Sequence, residues 1–249
     1  MSTAISAVNL RKNFNNIEVF SDFNFTAEEG KITAIFGPNG SGKSTLLNIL
    51  SGVTEKDSGE YKIENFNLLQ FSYIFQNYRE SLLPWRTNFE NVALPLEIQH
   101  KTKNEIKERV AELQKIFELK INWDGYPYEL SGGQQQILAF MRALVTEPKI
   151  LFIDEPFSAL DYENNLFLRE HLQKYYLSFK PTIILITHNI EEAVHLADKI
   201  VVLSKKPTKI IDVISNSLPY PRTIQSLKIE EFHKIKDKVL TAFQQVTNL

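Results

Sequence analysis

Nine consecutive residues, Gly37-Pro38-Asn39-Gly40-Ser41-Gly42-Lys43-Ser44-Thr45, have the composition and spacing to hold a phosphate. Glycines let the backbone curl with its N–H groups pointing inward and no side chain blocking an anion. The pattern G-x-x-x-x-G-K-[S/T] closes on Lys43, a point charge for outer phosphates, and on Ser44, whose hydroxyl stands where a magnesium ion would sit. Elsewhere Asp154 and Glu155 form an adjacent pair of carboxylates. Asp154 can hold the ion through water, and Glu155 can polarise the water that attacks a γ-phosphate. Gln76 can touch the metal or the attacking water, or simply cap a loop. His188 can reach the same phosphate, or be a satisfied structural histidine.

These groups need a scaffold that brings them to one place. Ile32-Thr33-Ala34-Ile35-Phe36 precedes the glycine-rich loop and Leu46-Leu47-Asn48-Ile49-Leu50 follows it, which predicts strand, loop and helix. A helix start adds unpaired N–H groups and a positive dipole end for the same anion. Ile150-Leu151-Phe152-Ile153 and Thr182-Ile183-Ile184-Leu185-Ile186-Thr187 are apolar runs of the kind found in central parallel strands. The first ends in Asp154-Glu155 and the second in His188. Side chains at the carboxyl ends of such strands lie at the ligand edge of an α/β sheet. Phe71 to Phe75 is a further strand, ending at Gln76.

Ile5 to Leu10 and Phe23 to Ala27 alternate as strands do, and Ile200 to Leu203 with Lys209 to Ile214 supply closing strands. Between Asn77 and about Leu144 the pattern turns helical, with a helix over Asn88 to Ile98 interrupted near Pro95. Another runs from Thr102 to Leu119, with Ile106, Val110, Leu113 and Phe117 on one face. This stretch reads as a helical lobe inserted into the core. Leu82-Leu83-Pro84-Trp85 opens it, either as a docking surface or packed beneath the lobe. Leu130-Ser131-Gly132-Gly133-Gln134 starts another helix, which Ser131 can cap. Its glycines leave N–H groups accessible, so it is a capped helix or a second anion site. Tyr162 to about Ser178 is a long helix. A final helix sets Phe232, Ile235, Val239, Phe243 and Val246 on one face, against the core. Phe14, in the polar stretch Asn13 to Asn16, is a core or edge phenylalanine, or an aromatic that stacks on a base.

The 249 residues suit one large domain, and a 43% hydrophobic fraction can fill its core. A net charge of −2 gives no electrostatic case for nucleic acid. With no cysteine, disulfides, thiolate metal sites and a cysteine nucleophile are excluded. Met1 to Ile5 does not read as a signal peptide. No apolar run approaches the ~18 residues of a membrane span, so a membrane role must come through a partner.

Assembled, these pieces resemble the nucleotide-binding subunit of an ATP-binding cassette (ABC) transporter over nearly the whole length. Leu130-Ser131-Gly132-Gly133-Gln134 carries the most specific likeness, because it resembles the family signature. The resemblance implies an α/β P-loop NTPase core with a parallel sheet, an N-terminal antiparallel β region and an inserted helical subdomain. It implies one ABC ATPase domain over 1–249, with the α/β core at 1–75 and 146–214, the helical subdomain at 76–145 and a helical tail at 215–249. Gly37 to Thr45 then resembles Walker A and Ile150 to Glu155 resembles Walker B. Phe14 is similar to the aromatic that stacks on adenine, Ser158 to Asp161 to the D-loop, and His188 to the switch histidine. Gln76 is similar to the loop glutamine, with metal and water as its implied contacts. Four positions depart from common usage. Gln135 and Ile137 stand where many members carry Arg, Asn189 where Asp is usual, and Phe14 where Tyr is commoner.

The family packs two cassettes head to tail, so Ser131, Gly132, Gly133 and Gln134 of one copy would complete the ATP site of the other, with Asp161 nearby. The implied cofactors are ATP and Mg2+, and the implied assembly is a homodimer. Leu82 to Thr87, Phe89 to Val92, Thr187-His188 with Glu191-Glu192-Ala193, and Leu203-Ser204 with Pro207 resemble the nitrate/sulfonate/taurine importer branch. That branch implies a permease contacted through Gln76 to Trp85, an extracytoplasmic solute-binding protein, and a peripheral place on the cytoplasmic face of the membrane. The alternatives are a non-transport ABC ATPase and a nucleotide-gated regulatory module. A single cassette without heptads counts against the first, and intact Asp154, Glu155 and His188 against the second.

Overall fold

The computed structural model describes residues 2–64, 70–158 and 160–247. It begins with two long antiparallel strands, β1 (Thr3–Phe14) and β2 (Ile17–Glu28). Asn15 and Asn16, at φ 47° and 68°, make the tight turn between them, and asparagine tolerates that left-handed backbone. After β3 (Ile32–Phe36) and α1 (Lys43–Leu50), β4 (Ser58–Ile63) pairs with β1, completing a three-stranded sheet in the order β2-β1-β4.

The helical segment follows β5 (Phe71–Ile74). It comprises α2 (Tyr78–Ser81), α3 (Asn88–Ile98), α4 (Lys103–Phe117) and α5 (Gly132–Leu144). Then come β6 (Ile150–Asp154), α6 (Tyr162–Phe179), β7 (Thr182–Thr187), α7 (Ile190–Leu196), β8 (Lys199–Leu203), β9 (Ile210–Ser215) and α8 (Glu230–Thr247).

The second sheet runs β5-β6-β7-β3-β8-β9. Its first five strands are parallel and β9 is antiparallel to β8. β3, β6 and β7 are buried at every position, so both faces of the sheet are covered. The period of two divides their side chains. Ala34, Phe36, Leu151, Ile153, Ile183 and Leu185 pack with the helical segment, α7 and α8. Ile35, Ile150, Phe152, Ile184 and Ile186 pack with α1 and the antiparallel sheet.

Two local expectations are corrected. Pro95 does not interrupt α3, which runs unbroken from Asn88 to Ile98. The missing N–H at position 95 costs one helical bond, while buried Val92, Ala93 and Leu96 hold the helix on the core and a Thr87–Glu90 capping box secures its start. Nor do residues 82–85 act as one apolar cluster. Leu82 is only 5% exposed and belongs to the core, whereas Trp85 is 73% exposed. The Asn91 amide sets this geometry: Oδ1 accepts from the Leu83 N–H, and Nδ2 donates to the carbonyls of Leu83, Arg86 and Thr87.

On α7, His195 is fully buried. Desolvation, with the Arg169 charge adding to it, lowers its pKa from 6.5 to about 4. The folded state therefore binds fewer protons than the unfolded chain between those values. The stability that the neutral ring supplies is complete above pH 6.5 and is lost as pH falls toward 4. The unfolding free energy from denaturant titration should fall over that window by on the order of 3 kcal/mol more in the parent than in His195→Gln, from ~1.4 kcal/mol per pK unit. Identical acid limbs for the two proteins would contradict this.

Candidate functional site

The strand register decides what meets at the carboxyl edge of the parallel sheet. Phe36 lies opposite Thr187, Asp154 opposite Ile186, and Ile74 opposite Ile153. Four strands therefore end side by side, releasing Gly37, Gln76, Glu155 and His188 at one rim.

In the glycine-rich loop, Gly42 adopts φ 88° and immediately precedes α1. A Cβ there would lie 2.6 Å from Val19 Cγ1, so both backbone and space demand glycine. No side chain caps α1, whose first N–H groups stay available for an anion. Lys43 Nζ folds back and donates to the carbonyls of Gly37 and Pro38, each at 3.0 Å. Burial lowers the Lys43 pKa, while Glu155 and Asp154 oppose that shift. An ammonium held on two neutral carbonyls beside two carboxylates is poised to move to a more strongly charged acceptor.

Asp154 is buried at the end of β6. Desolvation raises its pKa, against hydrogen bonds with Ser44 and Tyr73 and the charge of Lys43. Its Oδ1 is buried and has no hydrogen-bond partner among the described residues. A buried carboxylate oxygen lacking a partner, beside a serine hydroxyl, suits a hard divalent cation that takes oxygen ligands. Residues Asp154 and Ser44 thus fit Mg2+.

Glu155 follows at φ 44°, a left-handed conformation that costs a non-glycine residue energy and occurs preferentially at functional positions. Its N–H donates to the Ile186 carbonyl at 3.0 Å, which fixes the residue against β7. Gln76 Nε2 donates to Glu155 Oε2 at 3.3 Å, and His188 Nδ1 lies 3.1 Å from the same oxygen. One carboxylate oxygen is engaged by two side chains from neighbouring strands, leaving Oε1 to accept from water.

The remaining expected residues lie elsewhere. Ser131 caps α5, its hydroxyl accepting from the Gln134 N–H while Gln134 Oε1 accepts from the Ser131 N–H. Asp161 caps α6 through the Asn164 N–H at 2.9 Å, and the Asn164 side chain lies beside Gly133. Ser131–Gln134 and Asp161 thus neighbour one another. Among the described residues, none of them bonds to 37–45 or to Glu155. Ser158 donates to the Glu155 carbonyl, while Ala159 lies outside the described residues. Phe14 ends β1, largely exposed, with Lys12 Nζ 4.9 Å from its ring centre.

Three further residues join the site: Tyr73, and Thr187 and Glu192, whose sequence positions carry a resemblance but not their contacts. The Tyr73 hydroxyl donates to Asn48 Oδ1 at 2.9 Å and also neighbours Asp154. Its place on the strand that leads to Gln76 is the available signal. Buried Glu192 accepts from the Thr187 hydroxyl at 2.5 Å and from Asn165 Nδ2 at 3.0 Å, which braces the chain beside His188 against α6. Thr187 also accepts from the Asn189 N–H.

A family model described as "ABC transporter" matches residues 20–158. The aliphatic sulfonates import ATP-binding protein SsuB of Bacillus cereus (strain ATCC 10987 / NRS 248) is 39% identical over 98% of this chain and 97% of that protein. The protein of the same name from Bacillus subtilis (strain 168) is 36% identical over 93% and 89%. The sulfate/thiosulfate import ATP-binding protein CysA 2 of Shewanella oneidensis is 38% identical over 88% of this chain and 66% of its own length. Among solved structures, the dimeric structure of MJ0796, a bacterial ABC transporter cassette, superposes with TM-score 0.74 at 30% identity, over 85% of this chain and 98% of that one. A post-hydrolysis dimer of the same cassette, bound to ADP and Pi, gives TM-score 0.73 at 29% identity.

Gly42→Ala should cost about 2 kcal/mol or more, because it adds left-handed strain to a clash with Val19. Urea denaturation checks this, and a loss under 0.5 kcal/mol would contradict the steric account of the loop.

Proposed function

The chain belongs to the ABC transporter family, and on that premise we propose that it is the ATP-hydrolysing subunit of an importer for small anionic solutes of the sulfonate or nitrate class. The observation that carries this reading is the meeting of Gln76, Glu155 and His188 on one carboxylate oxygen at the rim that also carries the phosphate loop. The names of the relatives, which import sulfonates and sulfate or thiosulfate, support the solute class.

The backbone amides of 37–45 and the start of α1 bind the phosphates, and Lys43 leaves the Gly37 and Pro38 carbonyls for the outer ones. Ser44 and Asp154, with Gln76, would hold Mg2+, which supplies charge neutralisation on the phosphates when bound. Glu155 Oε1 accepts a proton of the attacking water. Gln76 and His188 hold the other oxygen, so the carboxylate cannot turn away. With Nδ1 directed at Glu155, the His188 ring presents Nε2 away from that carboxylate. Phe14 offers an exposed ring for the adenine.

Within one chain, none of the residues Ser131 to Gln134 bonds to 37–45 among the described residues. We assign the cover over the phosphates to a second copy, whose exposed Ser131 hydroxyl and Gly133 amide would face the bound ATP, with Asp161 beside them. A homodimer with two ATP molecules at its interface follows, all within one ATPase domain spanning 1–249. Exposed Phe75 precedes the segment from Gln76 to Trp85 and exposed Trp85 ends it, and a cavity of ≈ 150 Å3 lined by Tyr73, Phe75, Pro95 and Arg142 opens beside it. This is the surface proposed for the permease. No helix among the described residues is long and apolar enough to cross a membrane. Attachment to the cytoplasmic face would therefore come through the permease, with a solute-binding protein delivering cargo from the far side.

Glu155→Gln should lower ATP turnover about 10²–10⁴-fold while ATP binding persists. Gel filtration with ATP should then show an accumulated dimer. Turnover within tenfold of the parent would remove Glu155 from the chemistry.

A further inference from the structure

The chain between β8 and β9, residues 204–209, passes behind the phosphate loop. Thr208 sits there, 1% exposed, with its hydroxyl donating to the Ser41 carbonyl at 2.6 Å. The threonine is itself pinned, because its N–H donates to the Val19 carbonyl at 2.9 Å and it forms a parallel bridge with Phe20 of β2. Val19, Phe20 and Thr208 are the same three residues that a Cβ at Gly42 would meet.

A trans peptide unit is planar, with its carbonyl and the following N–H pointing in opposite directions. The Ser41 carbonyl and the Gly42 N–H belong to one such unit. Drawing the carbonyl outward onto Thr208 turns the Gly42 N–H toward the inside of the loop, where no described residue accepts from it. The loop cannot fix this plane alone. Gly40 at φ 75° and Gly42 at φ 88° supply the freedom that shapes the cradle, and the same freedom lets the intervening peptide flip.

We propose that Thr208 is a positioning residue for nucleotide binding: its hydroxyl, acting from outside the loop, locks the 41–42 peptide so that the Gly42 amide faces a phosphate. This rests on 37–45 being the triphosphate site. Thr208 itself touches no nucleotide. Its effect should fall on the phosphates and be indifferent to the base.

The test is calorimetric titration of the full chain with Mg-ATP and, separately, with inorganic tripolyphosphate, alongside thermal denaturation. Thr208→Val keeps the shape and deletes the donor, and Thr208→Ser restores the donor. Val should weaken both ligands by a similar factor, about five- to tenfold for one buried hydrogen bond, and Ser should return affinity to near the parent value. Parent-like affinity in Thr208→Val, with or without a lowered melting temperature, would overturn the proposal, as would equal losses in Val and Ser. A parent chain that binds neither ligand would instead overturn the nucleotide reading of the loop.

Discussion

A helix that begins without a cap at the rim of a parallel sheet is the constraint from which the rest follows. α1 has no side chain to satisfy its first amides, and Gly42 leads into it in a conformation other residues avoid. The amides are left for an anion. A lysine is needed against the anion's charge, and Lys43 supplies it from the first turn. Until then its ammonium is held by two loop carbonyls. A triphosphate would replace those neutral acceptors with charged ones, which makes binding and loop rearrangement a single event.

The chemistry is placed by the register of neighbouring strands. β5, β6 and β7 stop at nearly the same level, and each contributes one polar group just past its end. Glu155 stands in the middle, in a strained backbone conformation, braced through its N–H by β7. Behind it, Glu192 links Thr187 to Asn165 of α6, the helix that Asp161 caps. The chain beside His188 and the α6 region are therefore joined through one buried carboxylate.

What the sequence made legible was local chemistry in a recognisable frame. Gly37 to Thr45 between an apolar run and a helix, and Asp154-Glu155 at the end of another run, could be read because strand, loop and ligand are contiguous. Gln76 and His188 were readable as strand ends, but their shared contact on Glu155 depends on register, which no single segment encodes. Thr208 and Ser41 lie 167 residues apart, so nothing in either neighbourhood announces the bond. Leu82 and Trp85 have similar hydrophobicity and opposite fates, because the Asn91 side chain decides how the loop between them turns. Pro95 shows the limit of propensity: packing on one face outweighed one missing hydrogen bond.

Residues 37–45 and the start of α5 share no hydrogen bond among the described residues, and the proposed ATP site requires a second copy to bring them together. Mixing two inactive variants tests this most directly. Lys43→Ala spoils the loop, and Gly133→Asp sets a carboxylate where the signature should meet the partner's phosphate. In a mixed dimer one site joins an intact loop to an intact signature. Equimolar mixing should restore roughly one quarter of parental ATPase activity, since half the dimers would be mixed and one of their two sites whole. A mixture as inactive as its components would contradict the shared site.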